Sequence, residues 1–287
     1  MESLYREVGI TRQAIWQYKR REVGHEVLVN EVIELVKNER KKHPKMGSRI
    51  MYHTISNVEG NKLKIGINKF EKIVSGAGLT VGKYKKRSPK TSDGMGRNNY
   101  PNLTNGLVLT NINQLMVGDI TYYQLEDRFY YIFTLKDVYS QRILGLLPAM
   151  TMESKNANEC LDSAIKIRGQ EQLMGCIHHT DNGSQYNAAS YIKRLKETGL
   201  QISRADNCQE NGSAEQLNHI VKNMYLDGWK IKTFRELKKA CIELTLILNE
   251  RRAIKSLGNV SSIQFETIIE NITEEERPKI RLYDFKN

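Results

Sequence analysis

The stretch Met116-Val117-Gly118-Asp119-Ile120-Thr121-Tyr122-Tyr123 decides how this chain folds and where its chemistry lies. Its β-branched and aromatic residues read as a strand, yet an aspartate stands in the middle. Aspartate is disfavoured inside strands, and burying a carboxylate without a partner is costly. Two later segments also carry acids: Asp181 in His178-His179-Thr180-Asp181-Asn182-Gly183-Ser184-Gln185-Tyr186, 62 positions on, and Glu215 in Asn207-Cys208-Gln209-Glu210-Asn211-Gly212-Ser213-Ala214-Glu215, 34 further. Singly they are ordinary: Asp-Asn-Gly is a common turn, and a helical glutamate usually faces solvent. In this order and on these elements they point to one site. Carboxylates supply the hard oxygen ligands that suit Mg²⁺ or Mn²⁺, and such ions drive in-line phosphoryl transfer on a polyanion.

Outward from the first acid, Leu115–Tyr123, Phe129–Leu135 and Arg142–Leu147 read as three strands with short connections, an antiparallel meander. Ser154–Arg168 reads as a helix with Ala157, Cys160, Leu161, Ala164 and Ile165 as its apolar stripe. Cys176-Ile177-His178 is a short strand leading into Asp181, Ala188–Thr198 a helix, Leu200-Gln201-Ile202 another short strand, and Ala214–Leu226 the helix that carries Glu215. The order βββαβαβα predicts an α/β fold, a mixed sheet with helices on both faces. If the first strand and the Cys176 strand are neighbours, Asp119 and Asp181 meet at the same edge and Glu215 leans across. Such a cluster of like charges is stable only with cations bound, and two ions about 3.5–4 Å apart fit it. Thr233–Arg251 reads as an amphipathic helix packed on the core, with Arg235, Lys238 and Lys239 outward, and Glu274-Glu275-Glu276-Arg277 as an exposed tail.

Residues 1–81 read as a basic helical region. Thr11 is an N-cap candidate for a short helix after Gly9. Arg12, Gln13, Gln17 and Lys19 on that helix face DNA if it belongs to a helix-turn-helix; otherwise it is a small packing helix with Ile15 and Trp16 in its core. A second helix follows from Val27 to Arg40, another starts near Ser48, and a further one near Asn68 is closed by Gly76 and Gly78. Residues 82–106 read as a basic linker whose Lys85, Lys86 and Arg87 track phosphates, residues 107–230 as the catalytic core and residues 231–287 as a C-terminal helical extension.

Composition agrees. The 287 residues carry a net charge of +11 with a pI near 9.3, and nucleic acid is the usual partner of such a surface. No run approaches the roughly 18–20 apolar residues of a spanning helix, and the N-terminus lacks the apolar stretch of a signal peptide, so no membrane role and a cytoplasmic location are expected. Cys160, Cys176, Cys208 and Cys241 form no zinc or disulfide spacing and read as reduced thiols.

The Asp-Ile-Thr-Tyr strand, the His-Thr-Asp-Asn-Gly-Ser-Gln-Tyr segment and the Asn-Cys-x-x-Asn-x-x-x-Glu segment together resemble the integrase catalytic core of insertion-sequence transposases of the OrfB type, which is similar to retroviral integrase. His43-Pro44-Lys45-Met46-Gly47, Asn68-Lys69 and Gly78-Leu79 look like the family's N-terminal helix-turn-helix region, and Leu248-Asn249-Glu250-Arg251-Arg252 with Ser256-Leu257-Gly258 like its C-terminal signature. The resemblance implies a ribonuclease H-like fold and a DDE transposase that cleaves and joins DNA strands, with Asp119, Asp181 and Glu215 as catalytic residues binding two Mg²⁺ or Mn²⁺ ions. It implies double-stranded DNA, both element ends and target, as partner, and a homo-oligomer on DNA. An upstream-frame subunit or fusion and a place on the bacterial nucleoid also follow. Asn182, Gly183 and Gln185 are expected to shape the loop after Asp181, Asn207 and Asn211 to order the loop before Glu215, and Lys222 to contact DNA. Met116 stands where the family has tryptophan, the Asp181–Glu215 gap is shorter than usual, and Ala253-Ile254-Lys255 and Ser261-Ser262 depart from the C-terminal signature. A catalytically impaired DNA-binding relic and a metal-dependent nuclease on the same fold are therefore the alternatives.

Overall fold

The computed structural model describes residues 9–58, 63–82 and 100–284. The chain forms two compact units, 1–83 and 84–287.

In the first unit Thr11 accepts a hydrogen bond from the Ala14 amide and caps α1 (Arg12–Lys42), a single 31-residue helix. The two helices read from the sequence are thus one. Gly24 costs helix stability of about 1 kcal/mol relative to alanine, but the helix formers on either side carry the turn through it. Only the C-terminal half of α1 is anchored: Val32 and Val36 are buried against Met46, Met51, Phe70, Ile73 and Val74, which come from α2 (Ser48–Val58), α3 (Ile67–Gly76) and the turn before α2. Trp16 is 60% exposed and stacks under Arg20, so the reading of Ile15 and Trp16 as a local core is wrong. Among the described residues no further element packs there to cover them.

The second unit is built on a five-stranded sheet of β2 (Leu115–Leu125), β3 (Arg128–Asp137), β4 (Ile143–Ala149), β5 (Ile177–Thr180) and β6 (Gln201–Arg204), preceded by the short β1 (Val108–Leu109). Its order is β4-β3-β2-β5-β6. The first three strands form the expected antiparallel meander, while β5 and β6 run parallel to β2. β2 is therefore the central strand, and side-chain alternation sends its residues to opposite layers. Met116 and Ile120 pack under α4 (Ser154–Arg168) and α5 (Ala189–Glu197). Leu115, Val117, Tyr123 and Leu125 face α6 (Gly212–His219), α7 (Phe234–Leu246) and α8 (Ser262–Glu270). Asp119 belongs by parity to this second face. Gly145 lets α4 approach β4 closely: a Cβ there would stand 2.4 Å from Cys160 Sγ.

Two features were not read from the sequence. Helix α8 starts at a capping box of Ser261 and Gln264, and the end of the chain returns as β7 (Ile280–Arg281), antiparallel to β1. The segment read as an exposed tail is anchored at its end: Arg277 Nε donates to the Ile269 carbonyl and Tyr139 to the Pro278 carbonyl. Residues 100–106, read as linker, lie along the sheet edge, with the Leu103 amide donating to Ser203 Oγ and the Arg204 amide to the Pro101 carbonyl. Among the described residues no helix is long and apolar enough to cross a membrane.

Candidate active site

Parallel pairing sets the first two acids side by side. Gly118 is in register with Thr180, so Asp119 and Asp181, each the next residue, stand at the same level of adjacent strands. Asp119 Oδ1 accepts from the Ile120 amide at 2.9 Å, and Oδ2 from Asn218 Nδ2 at 2.7 Å. Thr134 Oγ1, across the antiparallel pair, lies 3.1 Å from both the Asp119 carbonyl oxygen and Asn218 Oδ1. Asp181 Oδ1 accepts from the Gly183 amide at 3.1 Å, the closure of an Asx turn. Asn187 Nδ2 then donates to Asn182 Oδ1 at 2.7 Å, tying the two ends of the loop together.

Glu215 lies in the first turn of α6. Asn211, Glu215 and Asn218 are spaced i, i+4, i+7 and share one helix face. Asn211 Nδ2 donates to the Gly118 carbonyl at 3.1 Å, so the two buried asparagines pin the helix over β2 on either side of Glu215. Glu215 itself is exposed, and its charge acts on Asp119. Before it, Asn207 caps a short turn by accepting from the Gln209 amide and donates to Glu210 Oε1.

The electrostatics follow from this packing. Burial, then the charge of Asp181, pushes Asp119 up to about 7; Glu215 adds to the rise, while the Ile120 amide and Asn218 oppose it. Burial also raises Asp181, against the Gly183 amide and the charge of Arg204. Two clustered carboxylates that resist ionisation together form a site that a cation stabilises, and their all-oxygen donor set suits a hard divalent ion. The three acids do not close on one point: among the described residues no three His, Cys, Asp or Glu side chains stand close enough together to hold a metal ion.

Other residues singled out in the sequence sit elsewhere. Arg12 and Lys19 are exposed, i and i+7 on one face of α1. Lys85, Lys86 and Arg87 lie outside the described residues. Lys222 Nζ donates to the Tyr122 carbonyl at 2.7 Å. It sits in a π-helical turn, Ile220–Tyr225, that follows α6. His178 and His179 are buried, bonded to Tyr191 and Ser203, and pushed down by burial to about 3 and about 4, so they are neutral parts of the core. Cys160, Cys176 and Cys241 are buried free thiols. Asn218 and Thr134 were missed by sequence reading. For Asn218 the available signal was its i+3 spacing from Glu215, but nothing local distinguishes it from a surface asparagine.

A mixed five-stranded sheet with an antiparallel meander and helices packed on its faces is a ribonuclease H-like architecture. Residues 110–208, a stretch that holds Asp119 and Asp181, match the family described as the integrase core domain. The chain is 31% identical over 160 residues to the putative transposase for insertion sequence element IS986/IS6110 of Mycobacterium tuberculosis strain H37Ra, covering 54% of this chain and 58% of that one. It is 30% identical over 156 residues to the transposase for insertion sequence element IS629 of Shigella sonnei, covering 54% and 52%. The match thus spans little more than half the length of these relatives. Among solved structures, a chain of the simian T-cell lymphotropic virus intasome in complex with PP2A regulatory subunit B56 gamma shares the fold with a TM-score of 0.52, at 13% identity over 80% of this chain and 72% of that chain.

Proposed function

We propose that this chain is a DDE transposase that cleaves DNA at the ends of an insertion element and joins the freed 3′ ends to target DNA. The observation that carries the reading is Asp119 on β2 and Asp181 just past the end of the parallel neighbour β5, with α6 pinned over β2 by Asn211 and Asn218 so that the charge of Glu215 acts on Asp119. In this reading Asp119, Asp181 and Glu215 hold Mg²⁺ or Mn²⁺, two ions in all. When bound there, such ions would supply Lewis acidity for attack of an oxygen on the scissile phosphate. The residues of the chain supply the rest. Asn218 and the Ile120 amide fix the Asp119 carboxylate, the Gly183 amide fixes that of Asp181, and Glu215 completes the oxygen set from the solvent side.

The basic first unit, the linker and Lys222 bind duplex DNA, and the protein acts as an oligomer that holds two element ends, either alone or with an upstream-frame subunit or fusion. Its place of work is the bacterial cytoplasm, on the nucleoid. The net charge of +11 supports a polyanionic substrate.

The test is an assay with purified protein, Mn²⁺ and labelled duplexes carrying the element's termini. Joined product is expected from the wild type. Asp119→Asn and Glu215→Gln should lose both cleavage and joining while still shifting the duplex in a gel. Cleavage without joining would make the chain a nuclease, and a gel shift alone a binding relic. Normal cutting by either variant would refute the assignment of the acids.

A further inference from the structure

Arg204, the last residue of β6, is the largest of the fully buried side chains among the described residues, with 0% of its surface exposed. A buried guanidinium is costly unless its charge is answered, yet no carboxylate among the described residues forms an ion pair with it. Its donors go instead to the loop that follows Asp181. Nη2 donates to the Tyr186 carbonyl at 2.6 Å and Nε to Asn187 Oδ1 at 3.3 Å, while Nη1 donates to the carbonyl of Ser203 at 3.1 Å. The ring of Tyr100 covers the group, 5.6 Å from Cζ.

We infer that Arg204 is a positioning residue for Asp181, holding the closing half of the 181–187 loop so that the carboxylate keeps its place beside Asp119. A continuous set of contacts carries the effect. Arg204 fixes Asn187, Asn187 bonds back to Asn182, and the loop is closed at its start by the Gly183 amide on Asp181. The guanidinium and the Asp181 carboxylate also act on each other's charge. An arginine is needed because its planar fork serves three acceptors in fixed directions, which an ammonium cannot. The inference rests on the proposed role of Asp181 as a metal ligand.

The test uses the full-length chain as wild type, Arg204→Lys, Arg204→Met and Asn187→Ala, without DNA. Amide hydrogen exchange is followed at residues 182–187, and Mn²⁺ uptake by electron paramagnetic resonance. In Arg204→Met the loop amides should exchange faster and half-saturation should need about 10–100-fold more Mn²⁺, the usual range for losing a residue that orients a ligand. Arg204→Lys should recover part of both, and exchange in α1–α3 should stay unchanged. A folded Arg204→Met protein with wild-type loop exchange and Mn²⁺ uptake overturns the inference. If Arg204→Met does not fold, Asn187→Ala decides: faster loop exchange with weaker uptake supports the role, and wild-type behaviour refutes it. A wild type that binds Mn²⁺ but never cuts DNA sinks the transposase reading alone. A wild type that takes up no Mn²⁺ removes the metal role of Asp181, and loop exchange still decides whether Arg204 orders the segment.

Discussion

Asn218 Nδ2 donates to Asp119 Oδ2 at 2.7 Å, joining α6 to the central strand through the carboxylate proposed as a metal ligand. The same asparagine takes Thr134 Oγ1 at its other end, so its amide is oriented from both sides. Replacing Asn218 with leucine should lower Mn²⁺-dependent cleavage by roughly 10–100-fold while leaving duplex binding within about twofold, since the helix keeps its apolar contacts through Leu217 and Val221. Single-turnover cleavage and fluorescence anisotropy measure the two quantities, and equal loss of both would make Asn218 merely structural.

The raised Asp119 gives a pH signature in the absence of divalent ions. Its folded value, about 7, lies above the ordinary carboxylate value of 3.8. Between those limits the folded state binds more protons than the unfolded one, so stability falls as pH rises across the window. Asp119→Asn removes the burden. Its Tm should match the wild type near pH 4 and exceed it by about 10 °C at pH 8, given that the shift is worth about 4 kcal/mol and that 1 kcal/mol moves the Tm of a chain of this size by roughly 2–4 °C. Thermal melts in chelator would reveal a constant difference if the carboxylate were not strained, and added Mn²⁺ should narrow the gap at pH 8.

A buried ion cluster ties the far side of the sheet together. Arg168, at the end of α4, pairs with Glu266 of α8 and lies 3.9 Å from Asp137 of β3, and Arg142 adds a second contact to Glu266. Burial pushes Glu266 upward, but the hydrogen bond and charge of Arg168 outweigh it and hold the carboxyl below its ordinary value. Its stabilising effect is therefore present above that value and lost as pH falls through the folded one. Glu266→Gln leaves the guanidinium of Arg168 under-compensated and should cost about 3–5 kcal/mol in urea unfolding; a change below about 1 kcal/mol would show that the cluster is not needed to dock α8.

Binding to duplex DNA should weaken linearly in log–log terms with salt, each neutralised phosphate adding a slope of about −0.9. Arg12 and Lys19 are exposed on one face of α1. If both touch phosphates, the double alanine variant should reduce the slope by about 2. An unchanged slope would move DNA contact away from this face.

Much of the second unit was legible because its signals are local. The strand alternation of Leu115–Tyr123, the apolar stripe of Ser154–Arg168 and the turn at Asp181-Asn182-Gly183 each depend on neighbours within a few residues. The first helix was misjudged where local propensity gave two answers. The stretch was read as a short helix with Ile15 and Trp16 as a small core and a second helix from Val27, but the observed helix runs unbroken through Gly24 and leaves the tryptophan in solvent. Helix α8 and the β1–β7 ribbon escaped because short elements are set by what they pack against, and Val108 meets Arg281 across almost the whole second unit.

By itself the sequence determined the elements on which Asp119, Asp181 and Glu215 ride, because side-chain periodicity and turn chemistry are written in adjacent residues. The tertiary structure alone decided that β2 and β5 are parallel neighbours in register, that Asn218 and Asn211 are the pins of α6, and that a buried arginine bonds to the loop after Asp181. Those relations join residues about a hundred positions apart or on separate elements, and pairing over such distances is chosen by the packing of the whole core rather than by any local preference.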